Sequence, residues 1–410
     1  MYTFTKKKEF DKSVAACLLL ALAISYNAFL AIINAHIFRL SPSIVMLTEL
    51  IILMIASLLI INNSRNIPRM TWHLSFVYFI ILISLWGALF NSGIYFKGIR
   101  DMLLMPIFFI LGSYIEEKNL KKLVRWITLV VFAIMILEGW FTSIYVSIFA
   151  PSKYFAQTRG IEEFSLDSSG LFRNSLGFAG RFNLGIFNTH RLSSIFLEQV
   201  SLANFSMALG LFTLALWQKL SKLDRTILVV TITMILLTNN TRTGLIINIC
   251  FVFGYFIFPK IPRILQISVI PLILLITIPS FYEMDSVPSG DNFAGRIAGT
   301  VHFLINISLK DFFVGNYSYI AHTSDSGYAY LIYALTFFGM IAYWLYVSTV
   351  VPYYTDSTKR LNNGITLFIA ANLMIGAGIF TIKTAALIWL LAGYLTKETE
   401  IEIKRSRLNA

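Results

Sequence analysis

The sequence predicts an all-α polytopic membrane protein, a single domain over 1–410 with both termini cytoplasmic. Three observations predict it. Hydrophobic residues make up 57% of the chain and charged residues 13%, at a mean hydropathy of +0.72, whereas soluble domains carry about 25% charged residues. Apolar stretches near the bilayer-spanning length of about 17–25 residues recur about twelve times. The basic residues fall in short clusters at alternate connections, as topology signals do.

In chain order the apolar stretches are 14–33, 43–62, 72–90, 99–115, 124–150, 191–217, 225–238, 243–258, 264–282, 326–350, 363–380 and 382–396. The first is long and no small-residue cleavage site follows it, so no cleavable signal is expected. The stretches 225–238, 243–258 and 382–396 are short for a span. With the N-terminus inside, the cytoplasmic segments hold Lys6–Lys8 and Lys12, Arg65 and Arg69, Lys118–Arg125, Lys219–Arg225, Lys260 and Arg263, Lys359 and Arg360, and Lys397–Arg407, the majority of the 33 Lys and Arg residues. An even number of spans returns the basic C-terminal tail to the same side.

Two outside connections are long, 151–190 and 283–325. Structureless loops of that length are uncommon unless they bind or cover something. The first is rich in Gly, Ser, Asn and Arg (Arg159, Arg173, Arg181). The second contains NFAGRIAGTVHFLINI, whose Phe293, Ile297, Val301, Leu304 and Ile305 share one helical face. That pattern predicts an interfacial or re-entrant helix near 292–307, with Arg296 on its other side.

The formal charge of +12 is dispersed, so no nucleic-acid partner is expected. Cys17 and Cys250 lie in apolar runs without metal or redox spacing. His36, His73, His190, His302 and His322 are scattered, and HExxH, GxSxG and phosphate-loop motifs are absent, so neither metal nor cofactor is expected.

What carries chemistry is charge at membrane depth. In RLSSIFLEQVSLANF, Arg191, Ser194, Glu198 and Ser201 fall within roughly 80° of one another on a helix, a polar stripe inside an apolar run. Ionisable groups placed there usually face a cavity or a partner. Arg242, in the tight outside turn TNNTRTG, and Arg296 join Arg191 as outside cations. Guanidinium groups bind phosphate in a two-pronged fashion, so the three suggest a phosphate site at the outer edge of the membrane. Among acidic residues, Glu49 is placed to pair with Arg39 or Arg100. Glu138 sits mid-helix, where packing and function are both open. His322 and Asp325, where the second long loop enters the membrane, are placed to remove a proton from a sugar hydroxyl, and Asp325 equally to cap the following helix.

These stretches resemble a known family, the bacterial O-antigen polymerases (Wzy type), grouped with the O-antigen ligases in one membrane glycosyltransferase superfamily. RLSSIFLEQVSLANF resembles the family's Arg-to-E/N-P-N-x-L-A helix, NNTRTG its S-R-x-G turn, and DSGYAYLIYALTFFG its entry to a late helix. Two departures stand out: Gln199-Val200 occupies the place of a frequent Pro-Asn, and Asp325 the place where ligases have a histidine.

The resemblance implies metal-independent transfer of a glycan from a polyprenyl diphosphate donor onto another lipid-linked repeat unit, at the periplasmic face of the inner membrane. Arg191, Arg242 and Arg296 would bind the diphosphate. Glu198, His322 and Asp325 are the candidates for the base, and displacement at the anomeric carbon would invert it. The partners implied are the lipid-linked donor and acceptor, the lipid bilayer, a chain-length regulator and a flippase. Alternatives are a ligase-type transferase and a lipid-linked oligosaccharide flippase or transporter.

Overall fold

A computed structural model of the chain describes residues 11–63, 67–160, 170–172, 190–282, 293–323 and 326–408. It is all-helical, and no strand forms among the described residues. The order is α1 (Lys12–His36), α2 (Pro42–Ile61), α3 (Met70–Phe90), α4 (Phe96–Tyr114), α5 (Glu117–Trp140), α6 (Thr142–Phe149), α7 (Pro151–Arg159), α8 (Gln199–Leu216), α9 (Lys222–Asn239), α10 (Arg242–Ile257), α11 (Arg263–Tyr282), α12 (Phe293–Asn306), α13 (Leu309–Val314), α14 (Gly327–Thr349), α15 (Asp356–Ile375) and α16 (Ile382–Leu408).

Every predicted apolar stretch overlaps a helix, though two of them only in part or in pieces. Seven described helices, α1, α2, α3, α8, α10, α11 and α14, are long and apolar enough to cross a membrane, and the bent pair of α5 with α6–α7 makes a further candidate. The remaining long helices carry charge in an end turn, as with Lys97, Arg100 and Asp101 in α4 or Lys222, Asp224 and Arg225 in α9. Helices α2 and α11 bury few residues and present Leu, Ile and Met outward, the pattern of a surface solvated by hydrocarbon.

One end of the bundle gathers the start of α1, the start of α5 and part of α16. Ser13 Oγ accepts from Glu116 N and Asn119 Nδ2, and Tyr394 OH donates to Glu117 Oε2 at 3.0 Å. We refer to this as the termini end and to its opposite as the distal end. The tightest helix contact is between α4 and α16. A Cβ built on Gly393 would fall 1.7 Å from Phe109 O, and one on Gly112 would fall 2.0 Å from Leu390 O. Only glycine allows the two backbones to touch in this way.

Two predicted spans are redrawn. The stretch 124–150 is not one helix: α5 stops at Trp140, and α6–α7 turns away by 116°. Phe141 leaves helical geometry, and Ala150 adopts a left-handed φ of 39° directly before Pro151. The stretch 191–217 is helical only from Gln199. Ser194 (φ 52°) and Leu197 (φ 60°) are left-handed, with a single 3₁₀ turn, Ser194–Phe196, between Ser193 and Leu197. The polar stripe from Arg191 to Ser201 therefore does not exist as a helix face: Glu198 and Ser201 meet, while Arg191 and Ser194 reach other partners.

Within the second long connection a helix forms, α12. Ile297 and Val301 are buried, while Ile305 is 39% exposed. Helix α14 is broken at Thr336 (φ 65°, ψ 172°). The break frees Tyr333 O, which accepts from Asn316 N at 2.9 Å. Irregular backbone inside an apolar helix persists where protein groups re-satisfy it in this way.

Candidate functional site

The distal end is organised around residues 190–204. Glu138, fully buried near the end of α5, accepts from Ser193 N and Ser193 Oγ at 2.8 Å and from Ser194 N at 2.6 Å. The carboxylate thus satisfies the amide protons of a non-helical turn, and the left-handed Ser194 and Leu197 in that turn are why α8 starts late. Tyr145 OH donates to Ser194 O at 2.8 Å, and Asn239 Nδ2 donates to Leu192 O and Gln199 O at 2.9 and 2.7 Å. Every one of these groups is buried, so each unmade bond would leave a desolvated polar atom.

Held this way, Glu198 stands at the N-terminus of α8 without capping it. Its two oxygens accept from the two terminal nitrogens of Arg159 at 2.9 and 3.1 Å, and Ser201 Oγ donates at 2.9 Å. Lys383, buried at the start of α16, lies 4.0 Å from Glu198 and donates to Ser201 Oγ at 3.3 Å. The Arg159 guanidinium also rests on the Phe155 ring, 4.4 Å from its centre.

A second charged group adjoins the first. Arg100 pairs with Glu49 and with Asp101, Tyr26 OH donates to Glu49, and Tyr330 OH donates to Asp101 at 2.6 Å. Lys97 lies over the Tyr330 ring at 5.8 Å. Helix α7, which carries Arg159, packs against α1 and α2, which carry Tyr26 and Glu49, so the two groups form one field. Within it Lys97, Arg100, Arg159 and Lys383 face Glu49, Asp101 and Glu198, a net cationic arrangement. Such a cluster is tolerable in an apolar bundle because the charges are paired and hydrogen-bonded. Among the described residues, no three His, Cys, Asp or Glu side chains gather as a metal-binding group.

The residues expected from sequence are only partly brought together. Arg191 is buried and donates through Nε to Asn239 O at 2.7 Å and through a terminal nitrogen to Thr241 Oγ1 at 3.0 Å. It therefore braces the turn that carries Arg242, which is exposed at the start of α10. Arg296 is half-buried and donates to Ile375 O at 3.2 Å. That end of α15 leads to Gly378, which packs against Val200 and Asn204 in the first turns of α8. His322 is exposed and tilted against the Tyr319 ring at 5.1 Å; its described contacts share no partner with Glu198. Asp325 lies outside the described residues, and the cap of α14 is Ser326, which accepts from Ala329 N. Glu49 pairs with Arg100, one of the two partners expected.

Lys383 and the role of Arg159 were missed in the sequence. The signal for Lys383 was present, a lone lysine opening the apolar run TIKTAALIWLLAGYL. Arg159 gave no comparable signal, because its partner lies 39 residues away across a loop of similar composition.

Compared with known proteins, the chain matches no family model, no curated protein and no solved structure.

Proposed function

We propose that this chain is a membrane glycan transferase that polymerises a surface polysaccharide, O-antigen, capsule or exopolysaccharide. It transfers a glycan from a polyprenyl diphosphate onto another lipid-linked repeat unit. In this reading the termini end faces the cytoplasm, about twelve helices cross the inner membrane, and the distal end opens to the periplasm. The observation that carries the reading is the net cationic cluster at the distal end, built on Glu198, Arg159 and Lys383.

The chemistry needs cations more than it needs a cofactor. The acceptor hydroxyl oxygen bonds to the anomeric carbon as the bond from that carbon to the diphosphate oxygen breaks. The electron pair leaves on the diphosphate, and the hydroxyl proton passes to a base. Arg159 and Lys383 stabilise the departing charge, joined by Arg242 on the turn that Arg191 braces and by Arg296 across the first turn of α8. Glu198 holds Arg159 and Lys383 in place; with its oxygens engaged by a guanidinium and a hydroxyl it is a poor proton acceptor. His322 and Asp325 stand as the candidates for the base, and attack opposite the diphosphate inverts the anomeric centre.

A second reading, a lipid-linked oligosaccharide transporter, is favoured by one observation, the break in α14 at Thr336. Reconstitution into vesicles with lipid-linked repeat units separates the two. A ladder of longer glycans on lipid supports the polymerase, and a single addition onto a different acceptor supports the ligase-type alternative. Movement of lipid-linked units across the bilayer with no new glycosidic bond contradicts both and supports the transporter.

A further inference from the structure

Away from the charged end, the bundle contains a cleft of about 420 Å³, a volume within the range of about 300–1,000 Å³ common to ligand sites. Its walls are α9 and α10, and α8 forms its floor at Gly210 and Thr213. The lining is almost wholly apolar, and the cleft opens sideways, with Val229, Val252 and Phe256 45% to 69% exposed. Helices α8 and α10 are long and apolar enough to cross a membrane, so the medium at this opening is hydrocarbon.

Toward the termini end the cleft is bounded by Trp217 and Tyr255, and each carries an arginine held in the same way. Arg225 donates through Nε to Trp217 O at 3.0 Å and lies over the Trp217 ring at 4.8 Å. Arg360 donates through Nε to Tyr255 O at 2.9 Å and lies over the Tyr255 ring at 4.0 Å. Gln218 Nε2 donates to Tyr255 OH at 3.3 Å and ties the two sides together. In both arginines the Nε and the ring face are engaged. Among the described residues, the carboxylate paired with a terminal nitrogen of either arginine is Asp356, 3.9 Å from Arg360, longer than a hydrogen bond. The nearby Asp224 is paired with Arg125. A pair of fixed guanidinium groups at the interfacial end of an apolar cleft matches a lipid whose phosphate carries an uncompensated negative charge.

We propose that this cleft binds one anionic phospholipid from the leaflet at the termini end. Its hydrocarbon chain lies between α9 and α10, its phosphate meets Arg225 and Arg360, and it braces the α9–α10 hairpin against α8. The site is separate from the distal charge cluster and does not depend on the transferase reading.

The test is native mass spectrometry of the full chain released from nanodiscs of phosphatidylglycerol and phosphatidylcholine in equal parts. One phosphatidylglycerol is retained per chain, in preference to phosphatidylcholine. Arg225→Gln and Arg360→Gln each lower its retention about tenfold, the loss of one charge-assisted hydrogen bond. Lys222→Gln, at an exposed lysine of the same end, leaves retention unchanged. Thr233→Trp fills the cleft from its exposed edge with both arginines intact, and it displaces the lipid. Equal retention of the two lipids, full retention by the double arginine variant, or full retention by Thr233→Trp overturns the proposal.

Discussion

Arg159 and Glu198 lie 39 residues apart and meet in a two-pronged ion pair, each terminal guanidinium nitrogen donating to one carboxylate oxygen at 2.9 and 3.1 Å. The pair joins the end of α7 to the residue before α8, so it fixes the approach of one distal segment to another. Because the Arg159 side chain is 39% exposed, solvent screens part of the interaction. Each of Arg159→Gln and Glu198→Gln is expected to lower stability by about 1–2 kcal/mol. The double variant should cost less than the sum, by about 1 kcal/mol in a double-mutant cycle followed by thermal unfolding in detergent. Strict additivity would mean that the two side chains do not meet.

Glu138 is the buried residue on which the hub depends. Its carboxylate accepts from two backbone N–H groups and a hydroxyl. Replacing it with alanine leaves three desolvated donors, each costing about 1–3 kcal/mol. Glu138→Gln should also destabilise, because its amide turns one set of protons toward the donors of Ser193 and Ser194. Thermal unfolding of the purified variants checks the order, with Glu138→Ala least stable, Glu138→Gln intermediate and wild type highest.

The apolar periodicity made the helices legible, because a span must be long and apolar wherever it sits. It also located the helix of the second long connection, whose buried Ile297 and Val301 follow a period that needs no tertiary information. What it missed was set by contacts across the fold. Nothing local says that Ser193 and Ser194 give their N–H groups to Glu138, so 191–198 read as helix. Nor does anything local say that Arg191 donates to Asn239 O and Thr241 Oγ1, nearly fifty residues away. Glu198 was singled out correctly as a charge needing a partner, but Arg159 and Lys383 come to it from distant elements.

Arg191 and Arg242 separate bracing from exposure. Arg191→Ala removes two hydrogen bonds to the Asn239–Thr241 turn and should lower stability by about 2–4 kcal/mol. Arg242→Ala should change stability by less than about 0.5 kcal/mol and, on the transferase reading, still reduce turnover. Parallel unfolding and transfer assays check this. Equal destabilisation by both variants would place Arg242 in the scaffold.

The α4–α16 contact gives a packing prediction with a built-in control. Gly393→Ala must separate backbones that leave 1.7 Å for its Cβ, and it should cost more than about 3 kcal/mol or prevent accumulation. Gly299, in the interior of α12, has nothing within 4 Å of a built Cβ. Gly299→Ala should be neutral or stabilise by about 0.5–1 kcal/mol. Yields and unfolding midpoints of the two variants report the result.

The most direct measurement is the rate of glycan transfer between purified lipid-linked repeat units by reconstituted wild type, Arg159→Ala, Lys383→Met and Glu198→Gln. If the distal cations stabilise the departing diphosphate, Arg159→Ala and Lys383→Met each lose about 10²–10³-fold in turnover. Glu198→Gln, which loosens those cations without removing them, keeps a measurable fraction. Wild-type rates in Arg159→Ala and Lys383→Met would contradict the account, as would complete loss in Glu198→Gln alone.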